Sequence, residues 1–145
     1  MHDQVRAIVL NRARGFLSLA NKSDQSFEEI EPAIVLYTFA CELSLKGLGA
    51  SSGHDLFALY RNLSEDRKAW LQEKYAERTG LQLSEQLTRH GKLFVNVRYY
   101  HEGGGFAVNL KQLKGLTEFL CEMGQLAIRE RTDQDYTAME QTKGP

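Results

Sequence analysis

Apolar positions recur at helical spacing through most of the chain, and no stretch alternates convincingly with a period of two. Val5, Ile8, Val9, Arg12, Phe16, Leu19 and Ala20 predict a first helix over about 4–22. Ser23 to Ser26 read as a polar loop, and Phe27-Glu28-Glu29 leads into the next helix. Pro32 suits a first helical turn, where its missing N–H would be unpaired anyway. The second helix, about Glu31 to Leu48, is apolar around most of its circumference, so it is expected at the centre of the molecule. Gly47, Gly49 and the Ala50-Ser51-Ser52-Gly53 stretch stop it.

Four further helices follow from local signals. Asp55 caps a short third helix running to about Asn62, and Ser64 caps a fourth that ends at Gly80. Ser84 starts a fifth, read as continuous to residue 101 because Leu87, Gly91 and Phe94 keep one helical stripe whose next positions are Arg98 and His101. Asn109 with Gln112 resembles a capping box before a last helix carrying Leu113, Leu116, Leu120, Met123 and Ala127 on one face. Five or six helices joined by mostly short loops predict an all-α, antiparallel up-and-down bundle. One domain over residues 1–132 is expected, with a mobile polar tail at 133–145.

Composition changes this picture little. With 145 residues, one core suffices. The formal net charge of −1 gives no global attraction to phosphate, so any nucleic-acid contact has to come from a local patch. Cys41 and Cys121 sit in apolar helical patterns, without the spacing of a metal site or disulfide framework, and read as buried free thiols. No metal or cofactor is expected. The longest nearly apolar run, Ala33 to Cys41, falls well short of the roughly 20 residues that span a bilayer. Met1-His2-Asp3-Gln4 lacks the order of a secretory signal, which makes a cytoplasmic location the expectation.

Candidate chemistry concentrates in three places. Glu42 and Lys46, four apart on the central helix, are either an ordinary intrahelical ion pair or part of a polar cluster that orients Arg98. Gly53-His54-Asp55-Leu56 combines a turn, a titratable imidazole and a capping carboxylate. The segment Phe94-Val95-Asn96-Val97-Arg98-Tyr99-Tyr100-His101-Glu102, ended by three glycines, gathers the most. There Arg98 can fork onto phosphate oxygens, His101 can move a proton, and Tyr99 and Tyr100 can stack a base. The plainer alternative is a bridge from Arg98 to Glu42 or Glu102 that closes the bundle.

Phe39-Ala40-Cys41-Glu42-Leu43-Ser44-Leu45-Lys46, Gly53-His54-Asp55-Leu56 and the 94–102 segment, taken in that order over about residues 5–130, resemble the HEPN superfamily of prokaryotic helical-bundle proteins. The resemblance implies a homodimer whose late helix lines a cleft at the subunit interface. It also implies roles in RNA cleavage, nucleotide binding, or toxin–antitoxin and defence systems, with an antitoxin or a nucleotidyltransferase as partner. Catalytic members usually carry an arginine and a histidine separated by four to six intervening residues. Here Arg98 and His101 have only two residues between them, and it is Asn96 that stands four intervening positions before His101. Three readings stay open. One is a nucleotide- or RNA-binding regulatory module whose polar cleft comprises Arg98, His101, Glu42, Lys46, His54 and Asp55, with Asn96, Tyr99, Tyr100 and Glu102 as further ligand-binding candidates. The others are a metal-independent ribonuclease using Arg98 and His101, and a purely structural dimeric partner.

Overall fold

The computed structural model describes residues 3–23, 26–93 and 109–142, with the side chains of Phe27 and of residues from 131 onward excepted. Among the described residues the chain forms six α-helices and no strand. These are α1 (Asp3–Ser23), α2 (Ile30–Gly47), α3 (Leu56–Arg61), α4 (Glu65–Thr79), α5 (Leu83–His90) and α6 (Leu110–Thr142), with a 3-10 turn at Phe27–Glu29 before α2. The expected all-α bundle is what forms.

Small residues set the spine. Ala33, Ala40 and Gly47 recur every seven residues along α2 and are fully or almost fully buried. Ala33 packs with Ala20 of α1, and Ala40 with Ala13, so α1 and α2 run antiparallel at close range. Leu10 completes the seam as a knob held between two glycines. A Cβ on Gly47 would stand 2.5 Å from Leu10 Cγ, and one on Gly124 of α6 would stand 2.5 Å from Leu10 Cδ2. Only residues without a side chain let three helices meet around that leucine.

Hydroxyls and thiols pin α6 to α2. Thr117 Oγ1 lies 3.2 Å from Cys41 Sγ, and Ser44 Oγ lies 3.4 Å from Cys121 Sγ. Successive steps along both helices in the same direction make the pair parallel. Thr117 also donates to its own helix, at Leu113 O (2.7 Å), so among the described residues both hydroxyls and both thiols of the seam are partnered. Burial pushes the Cys41 thiol up to about 12 and raises Cys121 as well, which leaves both as inert core residues.

The remaining helices cover the other flank of α2 and α6. Leu56, Leu59, Leu71, Tyr75, Leu83 and Leu87 join Leu45, Leu116 and Phe119 in the largest apolar cluster. The end of α4 reaches α6 through Arg78, whose Nη1 is 2.8 Å from Glu122 Oε2. The caps follow the chemistry of their residues. Asp55 accepts from the N–H of Phe57 and Ala58, Ser64 from Arg67, and Asn109 from Gln112, while Gly80 adopts φ 73° to end α4. Gln112 does not close the reciprocal half of a capping box. Its side chain instead accepts from Arg89 Nη1 at 3.2 Å, which ties α6 to α5.

Two boundaries differ from expectation. The fifth helix stops at His90 instead of running on through 101, and Gly91-Lys92 form a turn. A Cβ on Gly91 would press within 2.6 Å of Leu87 O and 3.2 Å of Asp55 Oδ1, so the chain turns tightly against the α3 cap. At the other end, α6 continues to Thr142, past the expected boundary at 132. Residues 133–142 are polar but contain neither glycine nor proline, so nothing in them terminates a helix already nucleated.

Candidate functional site

The structure brings three of the sequence-selected side chains together. Glu42, on the fourth turn of α2, is only 8% exposed. Its Oε1 lies 2.7 Å from His54 Nδ1 and its Oε2 3.4 Å from Lys46 Nζ. A carboxylate this deep requires compensation, and two basic groups supply it, one from its own helix and one from the turn before α3. The ion pair with Lys46 is therefore real, and it is also half of a larger cluster.

Asp55 stands apart from this chemistry. Its Oδ1 accepts 3.0 and 3.2 Å hydrogen bonds from Phe57 and Ala58, which fixes the start of α3 and thereby the turn that carries His54. Asp55 is a positioning residue for the imidazole. Asn96, Arg98, Tyr99, Tyr100, His101 and Glu102 lie outside the described residues. The described chain leads toward them through Gly91, which faces Glu42 and His54 across a crevice, and Leu93, which packs with Tyr37 and Leu113.

That crevice is lined by Thr38, Phe39, Glu42, His54, Leu56 and Gly91 and encloses about 10 Å³. Such a volume holds one water at most and no base. A ligand at the cluster is thus met from outside, where the His54 side chain is 77% exposed and that of Lys46 23% exposed. With Glu42 held internally, the outward-facing groups are an ammonium and a tethered imidazole. Both can donate to an anion, the imidazole when protonated.

Sequence reasoning missed two features. His90 is 1% exposed and neither ring nitrogen has a hydrogen-bond partner among the described residues, and Gln86 Oε1, one turn earlier on α5, is likewise buried and unpaired there. Burial, reinforced by the nearby Arg89 guanidinium, holds the His90 pKa down at about 4, so the ring is neutral near pH 7. An isolated histidine on an otherwise polar stretch gives no sign of this. The second feature is a groove of about 540 Å³ between α1 and α6, where Arg14 and Arg129 alternate with Glu118 and Glu122. These four charges, two of each sign, sum to zero.

Among the described residues no group of three or more His, Cys, Asp or Glu side chains is placed to hold a metal ion, and no helix is long and apolar enough to cross a membrane. No protein family, no curated protein and no solved structure matches the chain.

Proposed function

We propose that this chain is a HEPN-like binding or regulatory module that holds the phosphate groups of a nucleotide or RNA without turning it over, in a prokaryotic defence or toxin–antitoxin setting. The observation that carries this reading is the anchoring of His54 and Lys46 on the two oxygens of one buried carboxylate. Pairing with Glu42 restrains both basic side chains and leaves them donating outward from a rigid helix and a capped turn, which lowers the entropy lost on binding an anion. It also leaves Glu42 engaged with two partners, and so a poor general base. Within this proposal the chain works as a homodimer or beside an antitoxin or nucleotidyltransferase subunit.

A thermal-shift panel of mono-, di- and oligoribonucleotides tests the reading. Binding raises the melting temperature of the wild type in proportion to ligand concentration, and the double variant Lys46→Ala/His54→Ala loses most of that rise. No stabilisation by any member of the panel rules the reading out and leaves a structural partner subunit. Incubation with total RNA supplies the other outcome. Cleavage that disappears in both Arg98→Ala and His101→Ala, with folding unchanged, replaces the binding module with a ribonuclease.

A further inference from the structure

Exposed large apolar side chains concentrate on one helix. Of the four among the described residues, Val5 (45% exposed), Ile8 (53%) and Leu19 (51%) all belong to α1, on a face separate from the one that buries Leu10, Ala13 and Ala20. Scattered exposed leucines call for no explanation, but a stripe does. Val5, Ile8, Arg12, Phe16 and Leu19 follow one another at steps of three and four, which is a single helical line.

The stripe borders a groove. Phe16 stacks on Phe39 of α2 with ring centroids 5.8 Å apart, and this pair, with Leu19 and Leu43, walls a depression of about 560 Å³ between α1 and α2. Gly15 leaves its wall open, since nothing lies within 4 Å of where a Cβ would stand, and a large apolar side chain entering from outside finds room there.

Charge selects the occupant. Arg12 sits at the middle of the stripe, is exposed, and makes no ion pair among the described residues. Glu42, the carboxylate at the groove's edge, is already held by Lys46 and His54. A second copy of the chain laid along the stripe in the antiparallel sense would set guanidinium against guanidinium at its centre. A helix with apolar residues on both sides of a central carboxylate fits the apolar wall and the cation together. The geometry points to the α1–α2 groove as a docking surface for an acidic amphipathic helix of a partner protein.

Two synthetic amphipathic helical peptides, about three heptads long, test this by fluorescence anisotropy against the full chain. Both carry leucines at the positions facing Val5, Ile8, Phe16 and Leu19, and they differ only in a central Glu or Lys. The Glu peptide binds about tenfold more tightly than the Lys peptide. Arg12→Glu reverses the preference, and Ile8→Asp abolishes binding to both. Because Arg12 and Ile8 are exposed, both variants retain the wild-type circular dichroism, and should Ile8→Asp fail to fold, the reversal at Arg12 decides alone. The inference is overturned if neither peptide binds, if both bind equally, or if Arg12→Glu leaves the preference unchanged. It is overturned too if sedimentation shows the groove closed by a second copy, as a dimer that Ile8→Asp dissociates.

Discussion

The two flanks of α2 treat buried polar groups in opposite ways. Toward α6, Ser44, Thr117 and both thiols find partners within 3.5 Å, and Thr117 also bonds a carbonyl of its own helix. On α5, Gln86 and His90 are as deeply buried and have unpaired atoms. Short hydroxyl side chains can always fall back on the preceding turn, whereas an amide or imidazole projects beyond its own helix and depends on a neighbour to answer it. The α2–α6 seam is therefore self-sufficient, and α5 depends on its surroundings.

The largest effect is expected where the seam is tightest. Gly124→Val drives a side chain into Leu10 and destabilises the fold by about 3 kcal/mol in urea denaturation. Adding Leu10→Ala relieves the clash, so the double variant loses less than the two single changes summed. Next comes the α5 flank, where acid is the probe. The folded-state pKa of His90, about 4, lies below its unfolded value of 6.5, so the unfolded chain binds the proton first as pH falls. Stability should be level above pH 6.5 and decline toward pH 4, by about 3 kcal/mol in total for this group. His90→Leu should flatten that decline and, near pH 7, stabilise by about 1 kcal/mol, since it removes two unanswered nitrogens. A variant that leaves the acid profile unchanged would show that the contrast between the flanks is energetically empty.

Smaller changes bear on the cluster. Asp55→Ala removes the α3 cap at a cost of about 1 kcal/mol, and it also loosens the turn carrying His54, so ligand binding should weaken with it. His54→Ala takes one of its two partners from the buried Glu42 carboxylate and should cost about 1 kcal/mol in urea denaturation. A loss that small leaves the chain folded, so loss of binding in that variant reports on recognition and not on folding.

Most of the helix boundaries were legible because the signals are local. Asp55, Ser64 and Gly80 each act within a turn or two of their own position, and the predicted ends of α1 to α4 fall within a residue or two of those observed. The break after His90 was not legible. The apolar stripe Leu87, Gly91, Phe94 keeps helical phase across it, and the close approach of Asp55 to Gly91, from thirty-six residues earlier in the chain, leaves no local signal. Likewise Glu42 and Lys46 were visible as a pair at helical spacing, while their union with His54 depends on how the loop after Gly47 folds back over α2. The unpaired burial of His90 is a property of the helices packed around α5 and of nothing in its immediate sequence. Arg12 was read only as a position on a periodic face, since exposure of that face is decided by which side of α1 meets α2 and α6.

The most direct test follows the side-chain resonances of His54 by NMR while a short oligoribonucleotide is titrated into the full chain. Saturable movement of the imidazole signals in the wild type, lost when Lys46 is replaced by alanine, is the expected result. Imidazole signals that stay fixed while the oligonucleotide binds elsewhere, or does not bind at all, would contradict the assignment of Glu42, Lys46 and His54 as an anion-binding cluster.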